Sequence, residues 1–284
     1  MLKKIFFAAA LLLASELGAK PVVIASIAPV EYLAKAVGGD KIEVQSLAKG
    51  DVHSYEPKPN DMKAVAKARI FIAAGLEFEE AWIPRFKASA KNLVVVKSDA
   101  KIAKLKEERG EQAEHDEKHE AHADPHVWLN PMLAITMARN ISDALIDMDK
   151  ANKDFYLENF QKLMNDLLAF DESAKNELAG LKNRKFVVYH PAWGYFAAHY
   201  DLEQISIERS GKEPKIDEMA STLKMIKDEN IKVIFADPNR SQKSAQILAS
   251  QTGAKVELLD PLGYNLLENL KIAVGAIKDA NSPK

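Results

Sequence analysis

Short runs of β-branched and other apolar residues recur along the chain, and most are followed by a stretch of helical character. In the first half the runs are Val22-Val23-Ile24, Ile42-Glu43-Val44, Ile70-Phe71-Ile72 and Leu93-Val94-Val95-Val96. In the second half they are Phe186-Val187-Val188, Gln204-Ile205-Ser206-Ile207, Val233-Ile234-Phe235 and Val256-Glu257-Leu258-Leu259. Helix-like stretches follow at Pro29 to Val37, Asp61 to Ala68, Pro214 to Asn230 and Ser241 to Thr252. Strand and helix in alternation predict an α/β fold with mainly parallel sheets covered on both faces. Four strand-like runs on each side predict two similar lobes.

The segment between them has a different rhythm. From about Lys150 to Leu178 there is no Gly or Pro, and Tyr156, Phe160, Leu163, Met164, Leu167, Leu168, Ala174 and Leu178 recur at helical spacing. Gly180 is well placed to end this helix. At 1.5 Å per residue it would be roughly 42 Å long, enough to run from one lobe to the other. The alternative is a long core helix inside a single domain.

Met1 to Ala19 has the layout of an export signal. Lys3 and Lys4 lead into the unbroken apolar run Ile5 to Ala14, and Gly18-Ala19 closes the segment with small residues. That run is too short to span a bilayer, which takes about 20 apolar residues. The expected division is therefore a signal peptide over 1–19, an N-terminal lobe over 20–149, a linking helix over 150–181 and a C-terminal lobe over 182–284. No cysteine lies near the cleavage point to carry a lipid, so the mature chain is expected to be exported and free, most naturally in a periplasm, with no membrane insertion.

Composition narrows the chemistry. The 284 residues carry 39 Lys and Arg against 41 Asp and Glu, and no basic excess points to nucleic acid. The absence of cysteine excludes disulfides, thiolate metal sites and cysteine nucleophiles, so any metal must be held by nitrogen and oxygen. Residues 107–124 hold eight acidic side chains, two basic ones and three of the seven histidines, His115, His119 and His122, with no Leu, Ile, Val or Phe. This composition predicts a mobile loop, and histidines alternating with carboxylates suit weak, auxiliary binding of divalent metal; an ordinary solvated loop is the other reading.

Three histidines share a different context. His53 follows the second strand-like run, His126 stands at the end of the acidic loop, and His190 directly follows Phe186 to Tyr189. Asp260 occupies the matching position after Val256 to Leu259. All four lie beyond strand ends, where open α/β sheets place ligands. Three imidazoles and one carboxylate form a four-coordinate set suited to Zn2+, two ligands coming from each half of the chain. Because imidazole binds metal only when neutral, affinity is expected to fall as pH drops through about 6.5. His199 lies on a helix face and reads as structural or surface, while Glu56 and Glu208 are near the ligand loops as supporting or surface groups. No His-Glu-x-x-His, Gly-x-Ser-x-Gly or phosphate-loop motif is present, so no catalytic residue is assigned.

The segments His53-Ser54-Tyr55-Glu56-Pro57, Asp124-Pro125-His126-Val127-Trp128-Leu129-Asn130-Pro131, Tyr189-His190-Pro191-Ala192-Trp193-Gly194-Tyr195-Phe196 and Leu259-Asp260-Pro261-Leu262-Gly263 resemble motifs of the metal-specific solute-binding proteins of ABC transporters, the cluster A-I family. They look most like its zinc-uptake branch. The resemblance implies two (βα)4 lobes joined by one long rigid helix, with the ion between them and delivered to a membrane permease. It maps the family's metal ligands onto His53, His126, His190 and Asp260, with histidine rather than the glutamate of manganese members at position 190. The acidic, histidine-bearing insertion is likewise a mark of zinc members. Val52 departs from the proline that often precedes the first ligand, and the insertion is short. The disulfide carried by many zinc members is impossible here.

The leading expectation is thus a monomeric periplasmic protein that captures Zn2+ as cargo and passes it to an ABC importer. Alternatives are a manganese or iron carrier of the same family, a zinc hydrolase, or an adhesin.

Overall fold

The computed structural model describes residues 20–106, 123–208 and 214–281. The expected signal segment and His115, His119 and His122 lie outside the described residues. The first half builds β1 (Val22–Ala25), α1 (Ala28–Gly38), β2 (Glu43–Ser46), α2 (Pro59–Val65), β3 (Ile70–Ala73), α3 (Glu77–Ser89) and β4 (Val94–Lys97). Its sheet is wholly parallel with the order β2-β1-β3-β4. Gly39 ends α1 with φ 54°, a left-handed conformation that glycine takes without Cβ strain.

Beyond β4 come α4 (Pro131–Met148) and α5 (Lys153–Leu178). Asn130 starts α4 as its side-chain oxygen accepts from the backbone N–H groups of Met132 and Leu133, with Pro131 supplying the pre-set φ of a first helical turn. The second half repeats the first: β5 (Lys185–Val188), α6 (Gly194–His199), β6 (Glu203–Ser206), α7 (Ile216–Asp228), β7 (Val233–Ala236), α8 (Lys243–Thr252), β8 (Lys255–Leu258) and α9 (Leu266–Asn281). Its parallel sheet has the order β6-β5-β7-β8, the same winding as the first.

The eight expected strands are therefore present, shifted by a residue or so where parallel register fixes the ends. For example, Ile42 sits buried at the entrance to β2 while pairing begins at Val22 opposite Glu43. The long helix is present as α5. Its 26 residues correspond to about 39 Å, and it packs on α1 and α4 of the first lobe and on α9 of the second. His199 fixes the other lobe's α6 to this rod, its ring 2.6 Å from the Asp171 carboxylate of α5.

The apolar core does not stop at the lobe boundary. One continuous cluster runs from Ile24, Phe71 and Ile141 through Trp128, Tyr156 and Leu167 to Trp193, Phe196, Leu270 and Ile277. A smaller cluster, including Val187, Ile226, Ile234 and Leu248, fills the far face of the second sheet. The lobes share packed side chains as well as a covalent rod, which restrains them against wide hinge opening. Among the described residues no helix is long and apolar enough to cross a membrane.

Candidate metal centre

Parallel winding sends every strand's C-terminal end toward the same side of its sheet, and the two sheets present those ends to one another across a cleft. His53 follows β2 and His126 is reached from β4 through the acidic segment. His190 follows β5 and lies at the topological switch of the second sheet, between β5 and β7. The other three strands of that lobe also end in polar side chains facing this region: Glu208 after β6, Asp237 and Arg240 after β7, and Asp260 after β8.

The three expected histidines converge. Nε2 of His190 lies 3.2 Å from Nε2 of His53 and 3.4 Å from Nε2 of His126. Among the described residues, this is the group of three or more His, Cys, Asp or Glu side chains whose ligand atoms lie within 4.8 Å of one another. Tetrahedral Zn2+ with Zn–N bonds of about 2.0–2.1 Å requires nitrogen separations of about 3.3–3.4 Å. Both separations from His190 fit that requirement.

Carboxylates select which ring nitrogen faces inward. Asp124 Oδ1 lies 2.7 Å from His126 Nδ1 and also accepts from the His126 backbone N–H at 2.9 Å. Glu208 Oε2 lies 3.1 Å from His190 Nδ1. A carboxylate can only accept, so each imidazole donates from Nδ1 and keeps its Nε2 lone pair for the cluster centre. Lone pairs facing one another at this distance repel, and a cation between them removes the repulsion.

Burial and mutual proximity also keep the rings of His53 and His190 neutral. Desolvation, reinforced by His126, His190 and Arg240, lowers the pKa of His53 to about 3. Desolvation likewise lowers that of His190 to about 4, against the opposing pull of Glu208. Neither ring therefore competes for protons near pH 6.5, so any loss of metal on acidification would move to lower pH at these two side chains.

Asp260 is not part of the 4.8 Å group. Its Oδ1 accepts from Asn239 Nδ2 at 2.9 Å and from the Leu262 backbone N–H at 2.8 Å, which holds the loop after β8. Glu208 takes the supporting role open to it in the sequence, whereas Glu56 is exposed. Asp124, Asp51, Asp237 and Arg240 were not distinguishable as site residues by spacing. Asp124 lies within the most specific motif, two residues from His126, which was the available signal. Asp237 is buried beside the histidines, and desolvation raises its pKa.

Two parallel α/β lobes, a connecting rod and a nest of inward-facing imidazoles define the class of metal-specific, cleft-type solute-binding proteins. The family model described as "ZnuA: Zinc-uptake complex component A periplasmic" matches residues 23–280, and the chain belongs to that family. It is 30% identical over 284 residues to the high-affinity zinc uptake system protein ZnuA of Bacillus subtilis (strain 168), covering 93% of this chain and 88% of the relative. A crystal structure of ZnuA superposes with a TM-score of 0.87 at 34% identity, covering 93% of this chain and all of the other. A zinc-bound ZnuA lacking residues 138–173 of its own chain superposes with a TM-score of 0.86, also at 34% identity, covering 93% of this chain and 99% of the other.

Proposed function

We propose that the protein captures Zn2+ in the periplasm and delivers it to the membrane permease of an ABC importer. The observation that carries this reading is the convergence of His53, His126 and His190 from the two lobes, with ligand nitrogens all within 4.8 Å of one another and Nε2 of His190 at 3.2 and 3.4 Å from the other two. The family assignment supports the same conclusion. Nitrogen-rich coordination favours zinc over the harder manganese ion, which prefers carboxylate oxygen.

The ligands are His53, His126 and His190, with Asp260 through its second carboxylate oxygen, or a water, completing four-coordination. His115, His119 and His122 serve as an auxiliary collecting site, a role supported by the composition of their segment alone. The chain divides into a signal peptide over 1–19, lobes over 20–149 and 182–284, and a linking segment over 150–181. After export it acts as a free monomer and has no catalytic role.

Metal analysis of the purified mature protein, with binding titrations of the wild type and His190→Ala, tests this reading. One zinc per chain is expected. The variant should lose more affinity than the about 10–100-fold typical of removing a supporting partner. Preferential retention of Mn2+ over Zn2+ in direct competition would overturn the choice of cargo.

A further inference from the structure

Arg240 links groups that belong to different lobes. Its Nη1 donates to both oxygens of Glu208, at 2.6 and 2.5 Å, and its Nη2 donates to Asp51 Oδ1 at 3.1 Å. Glu208 is the carboxylate that holds His190. Asp51 holds the loop of His53, since its Oδ1 accepts the His53 backbone N–H at 3.2 Å and its Oδ2 accepts from Ser54 Oγ at 3.1 Å. A single guanidinium thus connects the support of one imidazole to the support of another, and Arg240 stands 189 positions from Asp51 in the chain. Arg240 Nη1 also lies 3.1 Å from His190 Nδ1. Both atoms are donors, so the hydrogen bonds of each go to Glu208.

We propose that Arg240 is a positioning residue for metal retention, a latch whose bond to Asp51 holds the His53 loop against the His190 lobe, and that opening this bond precedes release of the ion. The inference rests on the three-histidine zinc reading and adds to it a route by which the ion leaves. Exposure along the latch is graded: the Glu208 side chain is 3% exposed, Arg240 13% and Asp51 37%. The Asp51 end is therefore the one that a solvent ion or a docked cationic side chain can reach. The planar fork of arginine suits a part that must hold two carboxylates at once, whereas a lysine ammonium offers a single point charge.

Simple electrostatics makes the opposite forecast, which keeps the idea testable. Arg240 carries positive charge near the ion, so if charge alone mattered, Arg240→Gln would slow zinc release. Under the latch mechanism, Arg240→Gln speeds release even though it removes that repulsion. Arg240→Lys, which keeps the charge and loses the fork, also speeds release.

The experiment is stopped-flow release of zinc into excess chelator from the wild type, Arg240→Gln, Arg240→Lys, Asp51→Asn and the Arg240→Gln/Asp51→Asn double variant. Zinc association rates and thermal unfolding of the metal-free proteins are measured alongside. The expected result is release about 10–100-fold faster in each single variant, with association unchanged and no further acceleration in the double variant. Raised salt should accelerate release from the wild type more than from Asp51→Asn, because it screens the half-exposed pair. Unchanged or slower release from Arg240→Gln overturns the latch, as do single effects that multiply in the double variant. A general loss of fold would instead appear as a lower unfolding temperature with slower association. If Arg240→Gln does not fold, Asp51→Asn and its salt dependence decide the matter. Failure of the wild type to bind one zinc overturns the functional reading itself and is seen before any release rate is taken.

Discussion

The indole Nε1 of Trp128 donates to the backbone carbonyl of Pro261 at 2.8 Å. Trp128 is fully buried two residues after His126, with ring centroids 5.2 Å apart, and Pro261 follows Asp260 in the other lobe. Tyr195 makes a parallel tie, since its hydroxyl donates to the Asp124 carbonyl at 2.7 Å and accepts from the Leu105 N–H at 2.8 Å. The aromatic residues of these motifs therefore hold together the loops that carry His126, His190 and Asp260.

Replacing Trp128 by Phe keeps most of the ring but leaves the Pro261 carbonyl without this donor in a buried setting. The expected destabilisation is about 1–3 kcal/mol, measured by urea unfolding of the metal-free protein. An unchanged unfolding midpoint would show that the inter-lobe bond contributes nothing.

Acid should weaken the metal-free fold through the histidines. The lowered pKa values of His53 and His190, about 3 and about 4, lie below their ordinary 6.5. Between those limits the unfolded chain binds more protons than the folded one, so stability falls as pH drops from about 6.5 toward 3–4. A series of unfolding curves should show this slope in the wild type and a shallower one in His53→Gln. Equal slopes in the two proteins would place the acid sensitivity elsewhere.

Asp124 offers a test of how the His126 tautomer is set. Asp124→Ala removes the acceptor of both the ring and the backbone N–H, and zinc affinity should fall by about 10–100-fold. Asp124→Asn retains a carbonyl oxygen able to accept the same bonds and should lose less. Titration calorimetry of both variants checks the order; equal losses would mean that charge, not hydrogen bonding, is what His126 requires.

For Asp260, the proposed fourth donor, the substitution Asp260→Asn keeps an oxygen for the Leu262 N–H while removing the charge. Zinc affinity should fall by about tenfold, or about 1.4 kcal/mol, a smaller loss than in His190→Ala. No change in affinity would favour water as the fourth donor.

Several of these features are legible in the chain itself. The strand runs, the long Gly- and Pro-free helix and the three histidines that converge can be read directly, because period, turn residues and strand-end position are local properties. The α4 helix announces itself less clearly: its start depends on Asn130 accepting two backbone N–H groups, a cap that is seen only once the chain has turned. Glu208 is visible as a nearby carboxylate, but its choice of His190 depends on β5 and β6 being neighbours.

The sequence by itself determined the eight strands, the long helix, the doubled α/β pattern and the residue types able to hold a borderline divalent ion. Only the tertiary structure decided that Nε2 faces inward on His126 and His190, that Asp260 Oδ1 is engaged by Asn239 and Leu262, and that Arg240 reaches Asp51. The reason is physical. Periodicity and turn chemistry act over a few residues, whereas hydrogen-bond partners and burial are set by contacts between segments that one dimension keeps far apart.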